Sequence, residues 1–256
     1  MKPKLEACGV SYSYHSLEGE TLALSDISFS VYPGEFLAIV GPSGCGKSTL
    51  LSLISGLLAP EKGTISIDGV PVEESGSSIG YMLQKDHLFE WRTIYNNVAL
   101  GLEIQKKLDS ESSEMLHEML DTYGLGDFKQ AKPSELSGGM RQRAALIRTL
   151  ALKPDLLLLD EPFSALDYQT RLAVCDDISS IIRNSQKTAI LITHDLSEAV
   201  SVADRIIVLS SRPGQIRTII PTPFENGEYR PLKRRNAPEF STYFNLLWKE
   251  MQEEKN

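Results

Sequence analysis

Short apolar runs alternate with amphipathic stretches along most of the chain. Residues 23–31 alternate apolar and polar positions, which is the pattern of a strand with one buried face. Two uninterrupted apolar runs, at 36–40 and 156–159, are typical of central strands covered on both faces. Together these patterns predict strands at 5–14, 23–31, 36–40, 63–67, 156–159, 189–193 and 205–210.

Helical periodicity fills several of the intervals between these runs. Apolar residues recur at a spacing near 3.6 after residue 47 and again from about 96 to 150, and further helices are predicted at 168–184 and 196–203. Strands that alternate with helices predict an α/β fold with a parallel sheet. The stretch 96–150 interrupts the alternation and is therefore a candidate for an inserted helical subdomain.

The last part of the chain has a different character. The Pro-Thr-Pro sequence at 221–223 and the basic cluster at 233–235 favour an irregular, solvated tail. Apolar residues from Phe240 to Trp248 follow helical spacing and predict a terminal amphipathic helix. We expect the chain to consist of a core at 1–87 and 151–211, a helical subdomain at 88–150 and an extension at 212–256.

Composition narrows the class of protein. The chain has 256 residues, 41% hydrophobic and 23% charged, which suits a globular protein and argues against disorder. Its net charge of −8 argues against an electrostatic nucleic-acid binder. No run approaches the roughly 18 apolar residues that span a bilayer, and the start lacks the apolar core of a signal peptide. Three widely spaced cysteines indicate neither a disulfide framework nor a zinc site, so we expect a cytosolic protein.

A glycine-rich loop follows the first uninterrupted run and precedes a helix. Its sequence, GPSGCGKST, matches the pattern G-x-x-x-x-G-K-[ST] of phosphate-binding loops. Glycines let successive backbone N–H groups approach phosphate oxygens, and the N terminus of the next helix adds its positive dipole end. We expect Lys47 to contact the β- and γ-phosphates and Ser48 to ligate Mg²⁺. The candidates for nucleotide binding are Gly41, Pro42, Ser43, Gly44, Cys45, Gly46, Lys47, Ser48 and Thr49.

Two carboxylates follow the second uninterrupted run. Asp160 and Glu161 come directly after the leucines at 156–159, at the carboxyl end of a predicted strand, where open α/β sheets bind their ligands. Asp160 suits Mg²⁺, directly or through water, and Glu161 is placed to polarise an attacking water. An ordinary acidic turn would explain this pair alone, but the phosphate loop upstream favours a catalytic site.

Between these two motifs lies the sequence LSGGMRQR, at 136–143. The three motifs in this order resemble those of the ATP-binding-cassette (ABC) ATPases, and the resemblance covers residues 1 to about 210. Gln84 matches the family's Q-loop glutamine, the sequence SALD at 164–167 its D-loop, and His194 its switch histidine. The family implies an α/β P-loop NTPase core, a mixed sheet with helices, with an antiparallel β subdomain and an inserted helical subdomain.

The resemblance also implies roles for individual residues. Tyr14 stands where the family stacks an aromatic ring on adenine, although strand packing would also explain it. Met140 replaces the family's commonest glutamine, but Ser and Gly backbone donors make most of the phosphate contacts, so we expect little loss of activity. The implied cofactors are ATP and Mg²⁺. The implied catalytic residues are Glu161, His194, Lys47 and Gln84, and the implied metal ligands are Ser48, Gln84 and Asp160.

In this family the signature sequence faces away from the phosphate loop of its own subunit. Ser137, Gly138 and Gly139 would therefore contact the γ-phosphate of a nucleotide held by the Lys47 of a second ATPase subunit. Since the chain has one phosphate loop and one signature, the resemblance implies a dimer, expected to be a homodimer, with two composite ATP sites.

The absence of a predicted membrane span implies that transmembrane permease subunits are separate chains. Residues 88–102, with Trp91 and Asn97, resemble the nitrate/sulfonate/taurine group of importers, although Glu90 replaces the usual proline. This group implies a solute-binding protein as an indirect partner and a peripheral position at the cytoplasmic face of the membrane, with no nucleic-acid partner. Trp91 would receive the coupling helix of the permease, pack within the fold, or do both.

Several functions stay open beside an ATPase subunit that drives import. An ABC exporter ATPase is the main alternative, and a non-transport cassette protein is a second. A regulatory module without hydrolysis is disfavoured because Lys47, Asp160, Glu161 and His194 are all present. The extension would contact the permease, stabilise the dimer, or pack on its own domain.

Overall fold

The computed structural model describes residues 2–17, 19–75, 79–164 and 166–252. The chain divides into two compact units, one formed by residues 1–77 with 179–256 and the other by residues 78–178. The subdomain boundaries given above stay predictions. Within the described ranges no helix combines the length and the apolar composition needed to cross a membrane.

The described ranges contain ten strands and eight α-helices. The strands are β1 (Leu5–Ser16), β2 (Gly19–Val31), β3 (Phe36–Val40), β4 (Lys62–Ile67), β5 (Val70–Pro71), β6 (Ile79–Met82), β7 (Leu156–Asp160), β8 (Thr188–Ile192), β9 (Arg205–Leu209) and β10 (Ile216–Pro221). The helices are α1 (Lys47–Ile54), α2 (Ile94–Ile104), α3 (Ser110–Thr122), α4 (Gly138–Leu150), α5 (Tyr168–Asn184), α6 (Leu196–Val202), α7 (Pro231–Arg235) and α8 (Pro238–Gln252).

The first unit contains an antiparallel sheet and a largely parallel one. The antiparallel sheet has the strand order β2-β1-β4-β5. In the other, β3 lies between β8 and β9 and is parallel to both, and β10 adds an antiparallel edge next to β9. All five residues of β3 are buried, as the uninterrupted apolar run predicts. The phosphate loop thus starts from the middle of a covered sheet.

The extension packs on the core of this first unit. Leu247 of α8 is fully buried in a cluster that includes Ala38 and Val40 of β3 and Val200 of α6. The predicted amphipathic helix is therefore confirmed. Three roles were considered for the extension, and the structure shows one of them, packing on its own unit.

The prediction of an irregular, solvated tail is wrong for residues 216–235. Residues 216–221 form β10, and Pro221 is tolerated there because it ends an edge strand. Thr222 and Arg234 are buried, and both donate hydrogen bonds to the backbone carbonyl of Ala203. Proline and basic residues favour loops locally, but these tertiary hydrogen bonds and the sheet edge override that preference.

The second unit combines the parallel strands β6 and β7 with three helices, α2 to α4. Their buried apolar faces share one cluster, which includes Val98, Leu116, Leu120 and Ile147. The stretch predicted to be helical at 96–150 therefore consists of three helices. Separate N-caps explain the division, since Thr93, Asp109 and Ser137 each accept a hydrogen bond from the first turn of the following helix.

Candidate functional site

The phosphate loop connects the end of β3 to the start of α1 and surrounds a buried ammonium group. Lys47 is 8% exposed, and its Nζ donates hydrogen bonds to the backbone oxygens of Gly41 at 2.8 Å and Pro42 at 2.9 Å. Ser43, Gly44 and Ser48 are exposed, whereas Cys45 is buried with its Sγ 3.9 Å from the Lys47 Nζ. The loop therefore holds a positive charge at its centre and presents exposed residues around it.

The phosphate loop ends at Gly46, and any other residue at this position would have to displace atoms of β2. Gly46 has φ 103°, a backbone conformation that residues with a Cβ rarely adopt. A Cβ at this position would also lie 2.7 Å from Leu24 Cδ2 and 3.0 Å from the Ala23 carbonyl oxygen, both on β2. The glycine thus lets the loop lie directly against β2.

We expect Gly46→Ala to abolish ATP binding and to lower the free energy of unfolding. Gly34→Ala is the matched control, since Gly34 also has a positive φ, 75°, but open space where its Cβ would be. The control should lose about 1–2 kcal/mol through the backbone alone, and Gly46→Ala about 1–3 kcal/mol more through the steric conflict. Urea unfolding and ATP titration measure both quantities, and equal losses in the two variants would contradict the steric argument.

A turn from the extension also contacts the phosphate loop, and no sequence pattern indicates this contact. Arg212 donates through Nε at 3.2 Å and Nη2 at 3.1 Å to the backbone oxygen of Gly44. A Cβ on Gly214 would lie 2.2 Å from the Cys45 carbonyl oxygen, so this turn packs directly on the loop. The arginine thereby holds one carbonyl of the loop.

Tyr14 lies on β1 next to the helix that follows the phosphate loop. Its hydroxyl is 3.0 Å from the Thr49 Oγ1, and its ring meets that of Tyr12 edge to face at a centroid distance of 5.1 Å. The side chain is nevertheless 46% exposed. Packing accounts for part of this ring, and stacking on adenine stays a prediction that the exposed part permits.

His194 is exposed immediately after β8 and is held in place by its buried neighbours. The Thr193 Oγ1 donates to Glu198 Oε2 at 2.6 Å and accepts from the backbone N–H of Asp195 at 3.0 Å. Asp195 in turn caps α6, accepting from the N–H groups of Ser197 and Glu198. Thr193 and Glu198 are thus positioning residues that sequence analysis missed, because their contact depends on how β8 enters α6.

In the second unit, Glu161 and Gln84 are in contact. The Gln84 Nε2 donates to Glu161 Oε2 at 3.2 Å and to Ser164 Oγ at 3.4 Å. Glu161 has φ 45°, a left-handed conformation that is uncommon outside glycine, at the carboxyl end of β7. The Ser164 N–H and Oγ both donate to the Glu161 carbonyl oxygen and hold this turn. Strained backbone of this kind concentrates at functional sites.

The donor groups of Ser48, Gln84 and Asp160 suit Mg²⁺. They are a hydroxyl, an amide oxygen and a carboxylate, and Mg²⁺ prefers such hard oxygen ligands together with water and phosphate oxygens. Gln84 uses its amide nitrogen to contact Glu161 and Ser164, so its amide oxygen is the atom suited to a metal ion. The residues present therefore fit the metal that the sequence predicts.

The signature residues form the N-terminal turn of α4. Ser137 is its N-cap and accepts from the Met140 N–H at 3.4 Å. A Cβ on Gly139 would lie 2.7 Å from Val174 Cγ2, so the helix approaches α5 closely at this glycine. Ser137 itself is exposed, and Gly138 is half-buried. The turn presents backbone N–H groups and a hydroxyl at the positive end of a helix dipole.

Two arginines of α4 bind the segment that follows Gln84. Arg141 donates to the Asp86 carboxylate at 3.1 Å, and Arg148 donates to the backbone oxygens of Asp86 at 2.7 Å and His87 at 2.8 Å. Burial lowers the pKa of Arg148, partly offset by the charge of Asp86. Both arginines are positioning residues that sequence analysis missed. They are seven residues apart, so they lie on the same face of α4, and this spacing could have indicated a shared partner.

The D-loop sequence at 164–167 is described except for Ala165, which lies outside the described residues. Asp167 accepts from the N–H of Thr170 in the first turn of α5. Hydrogen bonds from the Thr170 side chain and from its backbone N–H lower the pKa of the Asp167 carboxyl. The end of the D-loop is thereby joined to a helix start.

Trp91 is displayed on a short loop that Asn97 holds. The indole is 73% exposed and packs only partly on Phe89, with ring centroids 4.8 Å apart. Asn97 is fully buried and exchanges hydrogen bonds with the Phe89 backbone at 2.7 and 3.1 Å, while also donating to the Arg92 and Thr93 carbonyls. Of the two explanations for Trp91, packing alone does not account for so exposed a ring.

We expect Asn97→Ala to lower the free energy of unfolding by about 2–4 kcal/mol, because it leaves several buried backbone groups without partners. Asn96→Ala is the matched control: Asn96 is the exposed neighbour on the same helix, and its loss should change stability by less than about 0.5 kcal/mol. Urea unfolding of both variants measures the difference. Similar stability of the two variants would show that the Asn97 network does not hold the loop.

The fold and the phosphate loop define a nucleotide-hydrolysing α/β protein of the P-loop class. The sequence profile described as "ABC transporter" matches residues 24–164, and the chain belongs to this family. It is an ATP-binding, ATP-hydrolysing cassette, which confirms the fold class and the enzyme activity expected from the sequence.

Known proteins resemble the chain over nearly its whole length. It is 47% identical over 242 residues to the uncharacterized ABC transporter ATP-binding protein YtlC of Bacillus subtilis, covering 94% of this chain and 93% of that one. It is 42% identical over 243 residues to the nitrate import ATP-binding protein NrtD of Synechocystis sp., covering 93% and 91%. The dimeric, post-hydrolysis structure of the ATP-binding cassette MJ0796 bound to ADP and Pi has a TM-score of 0.73 and 29% identity, covering 86% of this chain and 99% of that one.

Proposed function

We propose that this chain hydrolyses ATP to drive a membrane importer for a small solute of the nitrate, sulfonate or taurine kind. The observation that supports this most directly is its similarity to NrtD, a nitrate import protein, over 93% of the chain. The same similarity favours import over the exporter alternative. The choice of solute belongs to the permease and binding protein, since none of the site residues described above has a geometry specific for such a solute.

The proposed reaction is in-line attack of water on the γ-phosphate of ATP, accelerated by positioning and by charge neutralisation. Lys47 exchanges its two loop carbonyls for phosphate oxygens, while backbone N–H groups of residues 43–46 hold the phosphates. Glu161 accepts the proton of the attacking water or orients it, and Gln84 holds the Glu161 carboxylate. His194 steadies the γ-phosphate. The hydroxyl of Ser48, the amide of Gln84 and the carboxylate of Asp160 would hold Mg²⁺, which would supply positive charge against the phosphate oxygens.

The active form is proposed to be a homodimer with two composite sites. The dimeric MJ0796 cassette, which matches this chain with a TM-score of 0.73, supports a paired cassette. The N-terminal turn of α4, with Ser137, Gly138 and Gly139, would bind the γ-phosphate of the nucleotide in the partner subunit, and Ser137 is exposed there. Since ATP then bridges two subunits, its hydrolysis releases the dimer contact and makes ATP a population-shifting ligand as well as a substrate.

Transmembrane permease subunits are the proposed direct partners, and a solute-binding protein the indirect one. The exposed ring of Trp91 supports a role as part of the permease contact. We place the chain at the cytoplasmic face of the membrane, with residues 88–150 as the helical subdomain that transmits the nucleotide state and residues 212–256 as the extension.

The test is solute uptake by the reconstituted transporter. The chain, its permease subunits and its solute-binding protein are placed in vesicles with ATP on the side of the chain, and entry of labelled nitrate, taurine or an alkanesulfonate is measured. We expect uptake of one solute that requires ATP and stops with Glu161→Gln, whereas Glu118→Gln, an exposed carboxylate on α3, leaves it unchanged. ATP-driven loss of solute from loaded vesicles, without need for a binding protein, would overturn the importer and support the exporter.

A further inference from the structure

A cavity of about 440 Å³ lies where the extension meets the end of α5 and the start of β9, within the first unit and remote in sequence from the phosphate loop. Its lining combines apolar and charged groups. Phe224 and the prolines on either side of Thr222 form the apolar part, and Tyr229 is 40% exposed. The charged groups are Arg183, Asp204 and Arg234.

Arg234 is a buried guanidinium with incomplete compensation of its charge. Its side chain is 5% exposed. The Nε donates to the Glu228 carbonyl at 2.6 Å and the Nη1 to the Ala203 carbonyl at 2.7 Å, so both of these bonds go to neutral groups. The Nη2 forms an ion pair with Asp204 Oδ1 at 3.7 Å, longer than a hydrogen bond, and the guanidinium Cζ lies over the Phe224 ring, 4.7 Å from its centroid. The Nη2 of this cation therefore has no carboxylate within hydrogen-bond distance among the described residues, and Arg234 lines the cavity.

Among the described residues that line the cavity, the one carboxylate is already bound by another arginine. Arg183 binds Asp204 with both terminal nitrogens, each at 2.8 Å, and Asp204 Oδ2 also accepts from the Phe36 N–H. The cavity thus has two guanidinium groups for one carboxylate, a net charge of +1. Burial and the nearby charge of Arg183 lower the pKa of Arg234 to about 10, which still leaves it charged at neutral pH.

The ion pair of Glu228 with Lys233, the residue before Arg234 in the sequence, does not change the net charge of +1. Glu228 lies beside Arg234, but its carboxylate is 3.2 Å from the Lys233 ammonium and accepts the backbone N–H groups of Tyr229 and Arg230. Counting Lys233 and Glu228 with the cavity residues leaves the same net charge of +1, since they add one charge of each sign. A buried cation is stable in proteins when an anion pairs with it.

We propose that this cavity is a binding site for a small oxyanion, in which the Arg234 Nη2 donates to the anion and Phe224 and Tyr229 contact its body. Guanidinium groups favour oxyanions such as carboxylates, sulfonates, sulfate and phosphate because their planar N–H donors match the spacing of the oxygens. The apolar wall favours an anion with an organic body over a bare inorganic one. Since Arg234 of α7 also donates to Ala203, a bound anion would fasten the extension to the core.

The test is thermal unfolding of the full chain with ADP and Mg²⁺ at saturation, so that the phosphate loop is occupied. Sodium benzenesulfonate and sodium sulfate are titrated separately against sodium chloride of equal ionic strength. We expect a saturable rise in melting temperature of about 3–5 °C at high occupancy. Benzenesulfonate that saturates at the lower concentration supports an organic ligand, and equal saturation supports recognition of the oxyanion group alone.

Three variants connect this effect to the cavity. Arg234→Gln should raise the half-saturating concentration at least about tenfold, and Arg230→Gln, which removes the same charge from an exposed neighbour, should leave it unchanged. Tyr229→Glu alters the exposed rim and should weaken binding by repulsion, which keeps the proposal testable if Arg234→Gln does not fold. A rise that is linear and unsaturable in the natural sequence, or a half-saturating concentration that is the same in Tyr229→Glu and Arg230→Gln, would overturn the site.

Discussion

Glu161→Gln should lower the rate of ATP hydrolysis by about 10²–10⁴-fold while leaving ATP affinity nearly unchanged. The substitution removes the group proposed to accept or orient the proton of the attacking water. The fold around it should persist, because the amide has the size of the carboxylate and its oxygen still accepts from the Gln84 Nε2, now at 3.2 Å from Glu161. The loss would therefore appear in kcat rather than in nucleotide binding.

Single-turnover hydrolysis and equilibrium ATP titration separate these two quantities. Glu118→Gln is the matched control, since it makes the same chemical change at an exposed position of α3 and should leave both quantities unaltered. Normal turnover in Glu161→Gln would remove this residue from the proposed mechanism. A parallel loss of affinity and turnover would instead assign it to nucleotide binding.

Lys47→Met should weaken ATP binding by about 10–100-fold, the usual effect of losing hydrogen bonds to a charged group, and should lower hydrolysis further. Methionine keeps the length of the apolar stem, so the variant removes the ammonium group with little change in packing. In the structure that group donates to the Gly41 and Pro42 carbonyl oxygens, which are neutral. Phosphate oxygens, which are charged, would replace these neutral partners when ATP binds.

Binding of ATP is measured by calorimetric titration, and the control is Lys62→Met, which removes an exposed lysine from β4. The control should bind ATP as the natural sequence does. If Lys47→Met kept full affinity and turnover, the buried ammonium would have a structural role, holding the loop carbonyls, and the phosphate-binding assignment would fail.

The elements that sequence analysis predicted most accurately are those with strong local patterns. β3 and α5 have the predicted bounds, because an uninterrupted apolar run and an amphipathic period are complete within their own residues. The stretch predicted to be helical at 96–150 consists of three helices. Its interruptions include Lys106 and Gly124, both with positive φ, and their effect on the chain is not visible in the apolar period.

The motifs of the candidate site could be predicted from the sequence, but the distant residues that hold these motifs through hydrogen bonds could not. The phosphate loop and the acidic pair are runs of adjacent residues, so the sequence alone predicts their chemistry. The hydrogen bonds of Arg212 to Gly44, separated by 168 residues, and of Arg141 to Asp86, separated by 55, depend on the path of the whole chain. No local propensity specifies such pairs.

By itself, therefore, the sequence determined the family, the ATP chemistry and the order of the strands and helices along the chain, because adjacent residues specify loops, caps and apolar periods. The tertiary structure decided that the extension packs on its own unit, that Trp91 is exposed on a loop held by Asn97, and that Arg234 is buried beside a cavity with an excess of positive charge. Burial, charge compensation and hydrogen bonding between distant residues are properties of the folded chain, since they depend on which surfaces water no longer reaches.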